Sequence, residues 1–394
     1  MISPNYYLSI AEGSEYIAEQ LHSAIIKKLV EAIALRIGEN KNYILTAKDK
    51  YMLEALEDSG ILREDIEKEI AKLTKRQLSE IKAAFEEAGI ESFNADSPVY
   101  IAAGIDVTAI TKSPAYIRIL QRGFEVTAGE WRNYTRTFAD QAQRVFIEQC
   151  DKAYNLVSSG AISYTEAYTD AINEVCKEGV IVQYPSGHKD TIETATLRCI
   201  RTSISQSCAE ITLERMRENG LDLVLTSSHL GARPSHELWQ GRVFHVDWGT
   251  LGMYMYKSGE TEPQTDGKYP DFVSSTRYGY VDGLCGANCR HSFMPYVEGL
   301  SENPFENYDN EENRKLYDLS QRQRMLERRI RKTKRECIGL RTAYENAKGE
   351  AKSAIHEKYV KKSKLLQKQN KAYSEFCEEN GLKRYDERLK IASR

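Results

Sequence analysis

The sequence predicts an α+β fold in three consecutive parts. Residues 1–178 form a predominantly helical region, residues 179–308 form a small, loop-rich α+β domain with many Cys and His residues, and residues 309–394 form a basic, antiparallel coiled-coil hairpin. Three observations predict this organisation. Apolar residues recur at helical spacing in the first part, β-branched runs and turn residues dominate the second, and apolar residues alternate in threes and fours in the third.

The N-terminal region contains several predicted helices. Residues 14–37 carry Ile and Leu at four-residue spacing, which is typical of one apolar helix face. Residues 63–88 repeat the pattern, and we expect this helix to end at Gly89, because glycine readily adopts the left-handed conformation that closes helices. Two more helices are predicted over residues 128–158 and 163–178.

The central domain mixes strands, one helix and long loops. A β-branched run, a Pro-Ser-Gly turn and a short return predict a hairpin over residues 180–192. A long helix follows and ends near residues 218–220, and strands are predicted at residues 222–228 and 242–246. Gly, Pro, Tyr, Asp and Ser dominate residues 249–304, which predicts irregular loops.

The C-terminal part predicts two antiparallel helices. The heptad-like spacing starts at Leu316 and breaks near Asn346 and Gly349. A first helix of about 39 residues, at 1.5 Å per residue, would reach about 58 Å. From Arg314 to Arg394 there are 24 Lys or Arg and 11 Asp or Glu, whereas the rest of the chain has 31 and 47. An acidic body therefore carries a basic tail.

Composition excludes several classes of protein. The chain has 394 residues, of which 41% are hydrophobic and 29% charged, and this is typical of a soluble globular protein with two or three cores. The first residues, MISPNYYLSIAEGSEY, lack the pattern of a secretory signal, and no window approaches the ~18 apolar residues of a membrane span. We therefore expect a soluble, unexported chain that does not enter a membrane. Its eight cysteines are mostly scattered singly, so a disulfide framework is not expected.

The segment GLCGANCRHSF is the strongest candidate for a metal site. It places Cys285, Cys289 and His291 within seven residues, and His236 or His229 could add a further ligand. Zinc takes four ligands from thiolates and imidazoles, so a structural site of Cys285, Cys289, His291 and His236 is one interpretation. The other, which we favour, is a buried network of thiols and hydrogen-bonded imidazoles without a cofactor. A nucleophilic role for either cysteine is disfavoured because no oxyanion element stands beside them.

The neighbouring segment HLGARPSHELWQGRVF offers candidate binding residues. Arg233 precedes a proline and is therefore held extended, so we expect its guanidinium to contact a fixed partner. Arg242 is a second candidate in the same segment. The favoured interpretation is internal bracing, because loop-rich domains commonly satisfy buried carbonyls with such side chains.

The basic clusters at residues 322–335 and 358–368 could neutralise DNA phosphates or meet an acidic protein surface. Runs of charged residues on helices usually only face solvent. A solvated helix face and a binding surface for DNA or an acidic protein therefore both stay open as interpretations. The candidate phosphate-binding residues are Arg328, Arg329, Arg331, Lys332, Lys334 and Arg335.

Four segments together resemble the phage minor capsid protein 2 family. They are YPSGHKDTIETATLRCIRT, SSHLGARPSHELWQGRVF, GYVDGLCGANCRHSFMPYVEG and QRMLERRIRKTKRE. The elements His236, Leu238, Gly241 and Asn288-Cys289-Arg290 are also similar to the wider group of Mu-type phage head morphogenesis proteins. In that group the last motif commonly continues to a second Cys, where this chain has His291. The exchange conserves the capacity to bind a metal.

The resemblance implies a structural minor capsid or head protein of a tailed bacteriophage or prophage. Such a protein would lie in the capsid interior or at the portal vertex of the virion, and in the host cytoplasm during assembly. It would contact the portal protein, the major capsid protein or both, and would assist head assembly, DNA packaging or ejection, with double-stranded DNA meeting the basic hairpin. The resemblance transfers no catalytic residues, so an enzyme is not expected.

The alternative is a zinc-dependent hydrolase or toxin-like enzyme built on His236, Cys289 and His291. A catalytic zinc keeps one open position and needs a nearby carboxylate base. Glu237 is the acid within the His-rich segment.

Overall fold

A computed structural model describes residues 1–38, 48–107, 110, 113–249, 251, 268–305 and 308–391. The helices are α1 (Tyr6–Ser9), α2 (Glu12–Ile33, extended by a π-helical turn, Ala34–Gly38), α3 (Lys48–Ala102), α4 (Pro114–Arg136), α5 (Phe138–Ser158), α6 (Tyr164–Glu178), α7 (Ile192–Glu218), α8 (Phe272–Thr276), α9 (Asn310–Asn346) and α10 (Gly349–Glu379). The strands are β1 (Val182–Gln183), β2 (Lys189–Asp190), β3 (Leu223–Thr226), β4 (Val243–His245) and β5 (Phe293–Pro295). The chain is mostly helical with small antiparallel sheets, which confirms the α+β prediction at this level.

Helix α3 corrects the boundary predicted at Gly89. The helix is 55 residues long and runs through Gly89 without interruption. A Cβ atom at this position would lie 2.6 Å from Leu120 Cδ1, which is closer than van der Waals contact allows. The prediction of a helix end was wrong, because this glycine serves close packing of α3 against α4 and not chain reversal.

Of two other predicted helices, one is divided in the structure and one is confirmed. The helix predicted over residues 128–158 is two helices, α4 and α5, which meet at Thr137. The helix predicted over residues 163–178 is confirmed as α6. The Ser163 hydroxyl caps it by accepting a hydrogen bond from the Glu166 amide, and Gly179 follows with a φ of 56°.

The small sheets agree with the predicted strands and add one. Strand β1 pairs with β2 in the predicted hairpin, and β3 pairs with β4 so that Val224 faces Phe244. Strand β5 was not predicted. It pairs antiparallel with β3, giving the order β4-β3-β5, with Leu225 opposite Met294. Three residues between loops are too few to show an alternating pattern.

The chain forms two compact units, each assembled from separate segments. Unit 1 comprises Met1–Ser14, Leu78–Glu130 and Thr196–Ser320, and unit 2 comprises Glu15–Gln77, Trp131–Ala195 and Gln321–Arg394. Both units therefore draw on the N-terminal, central and C-terminal parts of the sequence. The division into domains at residues 178 and 308 stays a prediction.

Unit 1 has an aromatic core around its three-stranded sheet. Trp239, Phe244, Phe272 and Phe293 are almost completely buried there. The ring centroids of Phe272 and Phe293 lie 5.0 Å apart in an edge-to-face arrangement. This packing fixes β4, α8 and β5 around β3.

Unit 2 has an apolar core and, beside it, a buried cluster of ionisable side chains. The α2 face predicted from the four-residue spacing is buried, with Ile25, Leu29 and Ile33 fully inaccessible. The ion-pair cluster consists of Glu19, His22, Glu193 and Arg335. Unit 2 thus buries several ionisable groups, and they need partners within the protein.

Contacts within the ion-pair cluster supply those partners. Arg335 Nη1 donates to Glu19 Oε1 at 3.1 Å and to Glu193 Oε1 at 2.9 Å, and His22 Nδ1 lies 3.0 Å from Glu193 Oε2. Burial and, after it, the negative charge of Glu193 raise the pKa of Glu19 to about 8. Burial opposes ionisation of Glu193 too, but His22 and Arg335 outweigh it and lower the pKa of Glu193 below its usual range.

The two C-terminal helices make antiparallel side-chain contacts. The Gln323 amide donates to the Tyr373 hydroxyl at 3.4 Å, Lys362 pairs with Glu336, and Lys352 Nζ lies 4.8 Å from the centre of the Tyr344 ring. The first helix begins at Asn310, six residues before the predicted apolar pattern, and ends at Asn346. Coiled-coil packing of the pair stays a prediction. Within the described residues, no helix is both long and apolar enough for a membrane crossing.

Candidate functional site

Three of the predicted metal ligands come together in unit 1. His236 ends a short 3-10 helix (Pro234–His236) between β3 and β4, whereas Cys289 and His291 lie in the segment just before β5. Because β3 pairs with both β4 and β5, these distant segments meet beside the sheet. Their ligand atoms all lie within 4.8 Å of one another. We call His236, Cys289 and His291 the Cys/His cluster.

Two glycines allow the loop that carries Cys289 to fold tightly. A Cβ atom at Gly283 would lie 1.8 Å from the carbonyl oxygen of Arg277, and one at Gly286 would lie 2.5 Å from that of Val281. Cys285 and Asn288 both adopt positive φ angles, of 58° and 59°. Glycine is thus required at residues 283 and 286 by backbone packing, which places Cys289 close to the sheet.

Hydrogen bonds fix the orientation of both imidazoles in the cluster. His236 Nε2 lies 2.9 Å from the carbonyl oxygen of Asp282, so this nitrogen is the donor. His291 Nε2 lies 3.1 Å from Gln240 Oε1, which also accepts from the backbone amide of His229 and is therefore an acceptor. In both neutral rings the proton is on Nε2, and the Nδ1 lone pair is free to accept.

The two Nδ1 atoms and the thiol of Cys289 face one another. The distance between the Nδ1 atoms of His236 and His291 is 3.4 Å. Cys289 Sγ lies 3.9 Å from His236 Nδ1 and 3.7 Å from His291 Nδ1. Three lone-pair-bearing atoms therefore surround one point, an arrangement suited to holding a proton or a metal ion.

The surroundings keep this cluster neutral and largely shielded from solvent. His236 is 2% exposed and His291 is 1% exposed, and the Trp239 ring packs against both, with centroid distances of 4.6 and 4.7 Å. Burial lowers the pKa of His236 and lowers that of His291 well below its usual value, to which neighbouring cationic groups contribute. Burial also raises the pKa of the Cys289 thiol.

Two other candidate ligands point elsewhere. Cys285 is buried, and its thiol donates a hydrogen bond to the carbonyl oxygen of His291 at 3.8 Å. The His229 ring stacks on that of His291 with centroids 4.3 Å apart. Its Nδ1 lies 3.2 Å from the carbonyl oxygen of Leu230, and burial lowers the pKa of His229 to about 4. The structure therefore brings together three of the four ligands of the predicted set.

The candidate arginines of the central domain differ in their surroundings. Arg233 donates to the carbonyl oxygen of Ala287 at 2.9 Å and to that of Asp282 at 3.4 Å, so it braces the loop that carries Cys289. Arg242 is exposed and directly precedes β4. Only the first of the two therefore supports the Cys/His cluster.

Glu237, the acid of the enzyme alternative, has structural partners. It is buried, and its carboxylate accepts from Asn313 Nδ2 at 2.9 Å and from Arg314 Nη2 at 3.1 Å. These contacts tie the start of α9 to the 3-10 helix of unit 1. A carboxylate held in this way is not positioned as a base, so these residues lend the enzyme alternative no support.

The candidate phosphate-binding residues of α9 fall into two groups. Arg328, Arg329 and Lys332 are exposed. Arg331 donates to the carbonyl oxygen of Arg388 at 2.7 Å, and Lys334 donates to that of Leu389 at 2.5 Å. The remaining one, Arg335, belongs to the buried ion-pair cluster.

Sequence reasoning missed the groups that orient the cluster. Gln240 and the carbonyl of Asp282 set the protonated nitrogen of each ring, but they are 51 and 46 residues away from the histidines that they contact. The sequence shows Gln240 next to Trp239, but it does not show that Gln240 contacts His291. That contact depends on how β4 and β5 pair with β3.

Comparisons with known proteins found relatives among the structural proteins of phages. A structural protein of Lactococcus phage LL-H is 29% identical over 236 residues, which cover 59% of this chain and 60% of the relative. A structural protein of Lactococcus phage mv4 is 34% identical over 106 residues, which cover 27% of this chain and 85% of the relative. The chain thus spans less than two thirds of the length of the LL-H protein.

The family model of Phage minor capsid protein 2 matches residues 4–373. The chain therefore belongs to the Phage minor capsid protein 2 family, which confirms the resemblance predicted from its sequence motifs. No solved structure matches it significantly.

Proposed function

We propose that this protein is a non-catalytic, minor structural component of a phage head. It lies in the capsid interior or at the portal vertex, contacts the portal protein, the major capsid protein or both, and assists head assembly, DNA packaging or ejection. Membership of the Phage minor capsid protein 2 family carries this proposal. The relatives from phages LL-H and mv4, both named structural proteins, support it.

We further propose that the exposed cations of α9 contact double-stranded DNA. Within the described part of the chain, no carboxylate forms an ion pair with Arg328, Arg329 or Lys332. Residues at these spacings share one side of a helix. Unpaired cations on one side can neutralise phosphates without first breaking an internal ion pair.

Other exposed lysines of the molecule provide a contrast. Lys68, Lys72 and Lys82 of α3 each lie near a carboxylate one helical turn away, at distances of 3.5, 3.8 and 3.8 Å. A phosphate would have to compete with these carboxylates. DNA is therefore expected to prefer α9 over α3.

The DNA contact is tested with the full chain and a matched set of variants. Binding to a short DNA duplex is followed by fluorescence anisotropy over a range of salt concentrations. Replacing Arg328, Arg329 and Lys332 by Gln should reduce the slope of log affinity against log salt by about 2 to 3. Replacing Lys68, Lys72 and Lys82 by Gln makes the same change in net charge and should leave the slope nearly unchanged.

Two outcomes would contradict the DNA contact. One is an unmodified chain that does not bind the duplex even at low salt. The other is an equal change of slope in both triple variants, which would indicate dependence on net charge alone.

The location in the virion is tested separately. Mass spectrometry of purified virions and of head assembly intermediates should detect this polypeptide, and chemical cross-linking should join it to the portal or major capsid protein. Its absence from both kinds of particle would contradict the structural role.

A further inference from the structure

We propose that the Cys/His cluster binds one zinc ion through His236 Nδ1, His291 Nδ1 and Cys289 Sγ, with a water molecule as the fourth ligand. The function proposed above does not require this site, and neither proposal depends on the other.

Distances between the three atoms fit a tetrahedral zinc site. With zinc–nitrogen bonds near 2.05 Å and zinc–sulfur bonds near 2.3 Å, tetrahedral angles place two nitrogens about 3.3 Å apart and a nitrogen about 3.6 Å from the sulfur. The observed separations are 3.4 Å between the nitrogens, and 3.7 and 3.9 Å from the nitrogens to the sulfur. The ligand atoms would need to move only a few tenths of an ångström.

Orientation of the rings supports a cation more strongly than the distances do. Each Nε2 is used as a donor, so both Nδ1 atoms of His236 and His291 are acceptors and cannot hydrogen-bond each other. The thiol of Cys289 has one proton and can satisfy only one of them. The second Nδ1 would then be a buried acceptor without a donor, which costs about 1–3 kcal/mol. A metal ion satisfies all three atoms at once.

The surrounding contacts resemble the outer shell of a metal site. Imidazoles that bind metals usually donate their other nitrogen to a carbonyl or side-chain oxygen, as His236 does to Asp282 and His291 does to Gln240. Arg233 holds the same loop through the carbonyl oxygens of Asp282 and Ala287. The site is thus ordered before any ion arrives.

Two imidazoles and one thiolate favour zinc among the common metal ions. On binding, a bond forms from zinc to each of the three atoms, and the thiol proton of Cys289 passes to solvent. The ion would join the 3-10 helix before β4 to the loop before β5. Three protein ligands and a water also occur in catalytic zinc sites, but Glu237, the nearby acid, is held by Asn313 and Arg314 and is not positioned as a base, so the role of the ion would be structural.

The first test uses the unmodified full chain. Protein purified without chelators should contain about one zinc ion per chain by elemental analysis. After removal of zinc, cobalt(II) should bind with equal stoichiometry and give the visible spectrum of a tetrahedral ion together with a thiolate-to-cobalt charge-transfer band. A chain that holds no zinc and shows no such spectrum with cobalt would overturn the proposal, and this result needs no variant.

Paired cysteine variants test which sulfur binds. Cys289→Ser should lose the charge-transfer band, whereas Cys285→Ser, four residues away in the same turn, should retain it and bind one ion. Far-ultraviolet circular dichroism establishes that each variant is folded. A folded Cys289→Ser chain that retains the band, or a folded Cys285→Ser chain that loses the ion, would contradict the proposed ligand set.

Discussion

The two units each bury a polar cluster, but the clusters are completed in different ways. In unit 2, Arg335 lies between Glu19 and Glu193, and His22 contacts the second carboxylate, so the protein itself supplies opposite charges. In unit 1, His236 and His291 present two acceptors to each other with a single thiol beside them. Buried polar groups need partners. Under the zinc proposal, the cluster of unit 2 is completed by the polypeptide itself and the cluster of unit 1 by an ion.

Removing the cation of the ion-pair cluster should have the largest effect. Arg335→Met leaves Glu19 and Glu193 buried beside each other without their shared partner. We expect a loss of about 3–5 kcal/mol in the free energy of unfolding, measured by urea denaturation. Arg329→Met changes the same charge on the exposed side of α9 and should stay within about 0.5 kcal/mol. An equally small effect of both variants would mean that the cluster contributes little.

The two carboxylates of this cluster should differ in their response to pH. The folded pKa of Glu19 is about 8 and its ordinary value is 4.5, so its contribution to stability is complete below about pH 4.5 and is lost as the pH rises through about 8. This carboxyl should lower the unfolding free energy by at most about 1.4 kcal/mol per pH unit in that range. Glu19→Gln should remove most of that dependence.

The matched variant is Glu193→Gln, because the folded pKa of Glu193 is lowered and not raised. It should destabilise the protein at pH 7 by removing an ionised partner of Arg335 and His22. If both Gln variants had the same stability and the same pH profile, the assignment of the two carboxylates would be wrong.

A smaller effect is expected from the outer shell of the Cys/His cluster. Gln240→Leu removes the acceptor that orients His291 but leaves all three proposed ligands in place. Zinc affinity, measured by competition with a chelating dye, should fall about 10- to 100-fold, or about 1.4–2.7 kcal/mol. Gln121→Leu, at an exposed site on α4, is the control and should leave affinity unchanged. No loss in Gln240→Leu would indicate that ring orientation does not matter for the ion.

Periodicity in the sequence was sufficient to predict most helices, because apolar faces at helical spacing are local signals. The α2 face and α6 were predicted for this reason. Gly89 was misinterpreted, since a glycine that ends a helix and one that packs against Leu120 have the same local pattern.

The chemistry of the two clusters was only partly predictable. Cys289, His291 and His236 could be singled out by residue type, but the position of Cys285 away from them depends on the backbone of its turn. Arg335 lies in the same run of basic residues as its exposed neighbours, so the sequence does not distinguish it from them. Its burial follows from Glu19, which is 316 residues away, and no charge pattern reveals such a pairing.

Hydrogen-exchange mass spectrometry of the full chain, before and after zinc removal, tests the difference between the two clusters most directly. Loss of the ion should increase exchange in the segment of residues 279–296, which contains Cys289 and His291. Exchange around Glu19 and Arg335 should stay unchanged, because the protein completes that cluster itself. Unchanged exchange over residues 279–296 would contradict this account, as would an equal increase around both clusters.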